Sequence, residues 1–191
     1  MDCPSRERAG WLCDSFYTGR AEEVLTGKNL IEKAFLENYA VAEKFNFLPE
    51  GMLPMCFPAD NYNGNFIPNW SLWFILELEE HLKRTGDSAF VETLRERIFK
   101  LLGYFEKLTN EAGLLEDLKG WIFVEWSKAN EFVNGVNYPS NMLYASALDT
   151  VCRLYKKPEY AVKEKISERK FWNNILTESF SGITRYVRMV F

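Results

Sequence analysis

The sequence predicts an all-α protein built from about three helical hairpins. Two observations carry this. Apolar residues recur at helical spacing through most of the 191 residues, the signature of helices with one buried stripe. The connectors between these stretches alternate strictly between tight turns and long irregular segments.

The elements follow in chain order. Leu12, Phe16, Ala21, Val24 and Leu25 predict a first helix over 10–25, and Leu30, Ile31, Ala34, Phe35 and Ala42 a second over 29–44. Trp70, Trp73, Phe74, Leu76, Leu78 and Leu82 predict a third over 68–85. Pro68 sits in its first turn, where a missing N–H costs little. Val91, Leu94, Ile98, Leu101, Leu102 and Phe105 give a fourth over 87–109, and Leu143, Ala147, Leu148, Val151 and Leu154 a fifth over 139–156. Pro158 opens a sixth over 158–178. The turns Thr26-Gly27-Lys28, Thr85-Gly86-Asp87 and Lys156-Lys157-Pro158 close three hairpins. The stretches 45–67 and 110–138 are long, rich in Gly, Pro, Asn and aromatics, and of the kind that carries function in compact domains. Within the second, Leu114-Leu115-Glu116, Gly120 and Trp121-Ile122-Phe123-Val124 predict a small β-hairpin. Each repeat is roughly 60–70 residues, in the range of repeat or toroid architectures. Stacked hairpins place the short turns at one end and the long loops at the other, gathering Asp2, Glu7, Asp60 and Glu125 on one face. Trp70 and Trp73, on one helix, read as core ahead of a sugar platform.

Composition bounds the function. The net charge is −4 and the pI about 5.3, against the basic stripe of a nucleic-acid binder. Uncharged stretches fall well short of the ~20 residues a membrane helix needs. Met1 leads directly into Asp-Cys-Pro and charged residues, unlike a signal peptide; as written the chain reads as cytoplasmic, with its compartment open. Cys3, Cys13, Cys56 and Cys152 form no C-x-x-C, and His81 is the single histidine; buried free thiols are expected, and neither metal nor cofactor. The 16 % aromatic content suits a large core, a carbohydrate site, or both. Asp60-Asn61-Tyr62-Asn63-Gly64-Asn65 departs from the EF-hand pattern and reads as a turn on the rim of the site.

The N-terminal run reads either as a helix lead-in with solvated charges or as a site for sugar chemistry. Carboxylates, arginines and Trp11 crowd into residues 2–14, Asp-Cys-Pro-Ser-Arg-Glu-Arg-Ala-Gly-Trp-Leu-Cys-Asp. Sugar hydrolysis needs one carboxyl group that protonates the leaving oxygen and a second that activates water or attacks. Arginine and ionised carboxylates grip ring hydroxyls, and Trp stacks on the apolar sugar face.

This run, with Gly10-Trp11 and Asp14, resembles the signature of the bacterial α-L-rhamnosidases of glycoside hydrolase family 78. Asn69-Trp70, followed by Arg84-Thr85-Gly86-Asp87, is similar to that family's next hairpin. Val124-Glu125-Trp126 sits where many members carry Gly-Asp-Trp. The resemblance implies an (α/α)6 barrel of six hairpins, of which this chain would supply the first part, as a single incomplete domain without upstream β-sandwich domains. It implies inverting hydrolysis of terminal α-L-rhamnosides, with Glu7 as general acid. Asp2, Arg6 and Asp14 would bind the sugar and hold the acid in place, Trp11 would pack on the ring, and Glu125, Trp126 and Asn69 would contribute to the sugar site. The family's general base lies far downstream, so the chain alone is expected to be inactive. Open barrel edges imply self-association. Two other readings stay open: a different six-hairpin glycosidase acting on glucosides or uronides, and a non-catalytic helical-repeat module.

Overall fold

A computed structural model describes residues 5–6, 8–59 and 64–160. Its helices are α1 (Leu12–Thr26), α2 (Leu30–Val41), α3 (Pro68–Thr85), α4 (Ser88–Thr93), α5 (Arg95–Glu106) and α6 (Tyr138–Tyr155), with a short 3-10 turn at Lys128–Phe132. The all-α, hairpin-based architecture expected from the sequence is the one observed. The described part of the expected sixth helix stops at residue 160.

The helix ends are set by local chemistry. Gly27 and Gly86 take left-handed conformations at φ 66° and 70°, and each closes its helix with a backbone bond to the preceding turn; only glycine adopts this at no steric cost. Lys156 does the same at φ 53° after α6. The start of α2 is capped from α1. The buried Glu22 carboxylate accepts the N–H groups of Leu30, Ile31 and Glu32 at 2.8–3.0 Å, placing negative charge where helix N–H groups lack partners. Asp87 caps α4 through Phe90 N–H, and Asn137 caps α6 through Ser140 N–H.

α1, α3 and α6 pack side by side, α3 in the middle. α2 and the α4–α5 pair lie behind them. Tyr39 of α2 meets Phe74 of α3 at 4.9 Å between ring centroids, and Phe105 of α5 meets Tyr144 of α6 at 5.7 Å. Both rings on α3 and α5, with Leu72, Ile75, Leu78, Leu94, Ile98 and Leu101, are fully buried. A charged web ties the hairpin turns at the C-terminal ends of α1 and α3: Arg84 reaches Glu32 and Glu80, Arg20 pairs with Glu80, and Lys33 with Asp87. The buried pair of His81 and Glu32 lies 2.9 Å apart beneath it.

Four expectations need correction. The single helix over 87–109 is two, α4 and α5, broken at Leu94. There the N–H turns to Val91 O, one residue short of the α-helical partner, while the side chain stays fully buried. α2 stops at Val41 instead of 44, because Ala42 is extended and its carbonyl is taken by the Arg97 guanidinium. No β-hairpin forms over 114–124. Leu114 O and Leu115 N–H bond outward to Asn110 and Asn141, Glu116 bridges Val136, and Trp121 N–H goes to Phe66 O. Finally, the apolar residues used to assign the first two helices do not all face inward. Val24, Leu25, Leu30 and Ile31 are 59–85 % exposed. α1 instead buries Leu12, Ser15, Phe16, Gly19 and Glu22. Gly19 permits this, since a Cβ there would stand 2.5 Å from Glu32 Oε1.

Candidate functional site

The long loops converge where the first turns of α1, α3 and α6 end. Residues ahead of α1 pair with the 45–67 loop: Gly10 N–H bonds Pro58 O, Phe57 N–H bonds Gly10 O, and Leu12 N–H bonds Met55 O at 2.8–3.1 Å. Gly10 is required for this fit, because a Cβ would lie 2.6 Å from Phe57 O and 2.9 Å from the Phe35 ring. The second loop is held to α3 by Asn69, whose Nδ2 donates to Phe123 O at 3.0 Å. Asn130 fastens its far side, accepting Val124 N–H at 2.8 Å and donating to Glu125 O.

These pieces enclose a pocket of about 680 Å³, within the size range of small-molecule sites. Arg6, Trp11, Cys13, Asp14 and Tyr17 line it from the N-terminal side. Asn69, Trp70 and Trp73 line it from α3, and Trp121, Phe123, Val124 and Trp126 from the loop. Trp11 sets its edge against Trp70 at 5.3 Å, and Trp121, Phe123 and Trp126 form an edge-to-face cluster at 4.9–5.8 Å. Trp126 is 83 % exposed, an open aromatic face at the pocket mouth. Among the described residues that line the pocket, Asp14 is the carboxylate.

Five of the eight sequence-derived candidates are therefore brought together: Arg6, Trp11, Asp14, Asn69 and Trp126. Glu125 is exposed on the rim between two lining residues. Asp2 and Glu7 lie outside the described residues, as do residues 60–63 of the segment expected to form a turn. Trp70 and Trp73, read as core, are only partly buried and form pocket wall. Tyr17, Trp121, Phe123, Pro139 and Leu143 were not singled out as site residues; their signal was aromatic or apolar character in a long loop or a first helical turn.

Among the described cysteines, all free, Cys56 is buried while Cys13 and Cys152 are partly exposed. The Cys13 thiol faces the pocket but is pushed up to about 12, by burial first and by the neighbouring Asp14 second, so it is not a nucleophile near neutral pH. One carboxyl group with a strongly raised pKa was missed altogether. Glu77 is fully buried, and burial holds it well above the usual carboxylate range. No three His, Cys, Asp or Glu side chains cluster to hold a metal among the described residues. A second cavity of about 530 Å³, lined by Phe45, Leu48, Glu96 and Arg97 among others, contains none of the candidates. No helix among the described residues is long and apolar enough to cross a membrane.

Comparison with known proteins places the chain. Two solved structures share its fold. A GH78 family rhamnosidase of Bacillus sp. GL1 has a TM-score of 0.68 at 21 % identity, over 90 % of this chain and 17 % of that one. A rhamnosidase from Klebsiella oxytoca, solved with rhamnose bound, has a TM-score of 0.67 at 18 % identity, over 88 % of this chain and 32 % of that one. The chain thus spans about a sixth of the first and a third of the second. No curated protein matches. The family described as "bacterial alpha-L-rhamnosidase 6 hairpin glycosidase domain" matches residues 1–170. The chain belongs to that six-hairpin glycosidase family.

Proposed function

We propose that this chain forms the sugar-recognising part of a glycoside hydrolase that cleaves terminal α-L-rhamnosides with inversion. The observation that carries the reading is the pocket itself: a carboxylate, a guanidinium and an amide, Asp14, Arg6 and Asn69, share it with Trp11, Trp70, Trp73 and Trp126. Polar side chains of this kind hold ring hydroxyls, and aromatic faces cover the apolar side of a sugar. A bare helical-repeat module has no use for that combination. The methyl group at C6 of rhamnose gives it more apolar surface than glucose or a uronic acid, which suits a wall this rich in tryptophan.

In this reading Glu7 is the general acid, protonating the leaving oxygen. Asp2, Arg6 and Asp14 hold the sugar and orient the acid. Trp11 and Trp126 pack on the ring, Asn69 fixes the loop that carries Trp126, and Glu125 serves the subsite from the rim. Inversion needs a second carboxylate about 6.5–9.5 Å away, with water between the two. The family resemblance implies a general base that is a glutamate far downstream, so these 191 residues alone are expected not to turn over substrate.

A sugar panel tests the recognition. L-Rhamnose should bind the chain, with D-glucose and D-glucuronate at least tenfold weaker; equal or reversed preference would favour a glucoside- or uronide-directed glycosidase. Hydrolysis of an aryl α-L-rhamnoside by this chain, abolished by Glu7→Gln, would overturn the inactivity expectation and assign the base to a residue present here, Glu125 first.

A further inference from the structure

α3 carries a carboxyl group that the sugar chemistry above does not use. Glu77 follows Asn69 and Trp73 at intervals of four, on the same face of the helix, and so lies directly beneath the pocket wall. It is fully buried. Its Oε2 lies 2.6 Å from Ser15 Oγ, and Ser15 Oγ also lies 2.6 Å from Leu12 O. A serine hydroxyl has one hydrogen, and a backbone carbonyl has none to give. If the serine's one hydrogen is directed at Leu12 O, as the 2.6 Å separation favours, the hydrogen between Oγ and Oε2 comes from the carboxyl group. Glu77 Oε1 accepts no hydrogen bond among the described residues. The carbonyl oxygen of a neutral acid tolerates that far better than a carboxylate does.

The charged and titratable surroundings favour the neutral form on balance. Cys13 faces Glu77 from α1, Tyr39 and Glu32 from α2, and Arg84 from α3 itself. Glu32 opposes a second negative charge, and the Arg84 guanidinium is engaged with Glu32, Glu80 and Glu23. Burial is the largest of the influences and, with Glu32, outweighs the Ser15 hydrogen bond and Arg84, which act the other way, so Glu77 is held well above the usual carboxylate range.

We propose that Glu77 is a neutral carboxylic acid at physiological pH and a positioning residue. Its O–H bonds Ser15, which bonds Leu12 O, and this chain fixes the first turn of α1, with Asp14, against the pocket face of α3. The protonation state follows from the Ser15 geometry and the burial of the carboxyl group, whatever the pocket binds. Its consequence for ligand binding rests on the carbohydrate reading of the pocket.

Infrared spectroscopy of the 191-residue chain, with 13C-labelled glutamate to identify the band, tests it. A protonated-carboxyl band should be present at pH 7 and pH 8, vanish in Glu77→Gln, and move to higher frequency in Ser15→Ala, where the acid loses its acceptor. A parent spectrum without the band, or one unchanged by Glu77→Gln, overturns the assignment, as does an unmoved band in Ser15→Ala. Gln keeps an N–H donor toward Ser15, whereas Met fills the space without one. Glu77→Gln should therefore melt within about 2 °C of the parent and Glu77→Met more than about 4 °C below it, and Met should bind L-rhamnose at least tenfold more weakly than Gln. Equal behaviour of the two variants overturns the positioning role. If the infrared and melting results hold but the parent itself binds no L-rhamnose, the carbohydrate reading fails and Glu77 remains a neutral acid.

Discussion

Trp126→Ala separates a binding residue from a structural one. The ring is 83 % exposed, and its neighbours are Phe123 and Trp121, with centroids at 4.9 and 5.8 Å. Edge-to-face contacts of this kind contribute about 0.5–1.5 kcal/mol. In a domain of this size each contact corresponds to a melting-temperature loss of about 1–6 °C, and exposure keeps both near the low end. The expected effect on sugar binding is larger. A Trp side chain presents about 200 Å². Covering one face, about 80 Å², at about 25 cal/mol per Å² contributes about 2 kcal/mol. That corresponds to a roughly 30-fold weaker Kd. The assay is calorimetric titration of parent and variant with L-rhamnose, alongside thermal melts. The expected outcome is a large loss of affinity with a small loss of stability. An unchanged affinity in a folded variant would refute the role given to the exposed aromatic wall, and a collapse of stability would mean that Trp126 is structural.

Three further outcomes are expected. Glu22→Ala leaves three N–H groups at the start of α2 without their acceptor. With two of those residues exposed, water replaces part of the loss, leaving a cost of about 2–3 kcal/mol, seen as a fall in Tm of about 5–10 °C. Cys13 should resist alkylation at pH 8, where an ordinary exposed thiol reacts, because its folded-state pKa is raised to about 12. The stability contributed by the neutral thiol is complete below the ordinary thiol pKa and is lost as pH rises towards the raised value, so Cys13→Ser should flatten alkaline denaturation. Val24, Leu25, Leu30, Ile31 and Val41 leave an exposed apolar face on the α1–α2 hairpin. Light scattering should show concentration-dependent self-association, reduced by Val24→Lys with Ile31→Lys; a monomer at all concentrations would contradict it.

The helices were legible because their apolar periodicity and their Gly and Pro boundaries are local. Gly27, Gly86 and Pro68 mark ends whatever surrounds them. Arg6, Trp11 and Asp14 were legible as a site because their chemical types are crowded into one short run. What periodicity did not show was which side of a stripe would be covered. Val24 and Ile31 follow the helical pattern yet face outward, while Ser15, Gly19 and Glu22 face in. The reason is tertiary: Glu22 caps the next helix, and Gly19 admits Glu32. Trp70 and Trp73 read as core because a helix's first turn can end in a pocket without any change in its pattern. Glu77 was hidden for the opposite reason, since a carboxylate in a helix normally marks a solvated face, whereas here it is fully buried against Ser15. The break at Leu94 and the outward bonds of Leu114 and Leu115 also depend on partners distant in sequence.

The central claim is that the pocket at the first turns of α1, α3 and α6 is a sugar site. A crystal structure of the chain with L-rhamnose tests it most directly. One sugar should occupy that pocket, its hydroxyls within hydrogen-bond distance of Asp14 and Arg6 and its ring against a tryptophan of the wall. A sugar bound only in the cavity beside Phe45 and Arg97, or an empty pocket at saturating L-rhamnose, would contradict it.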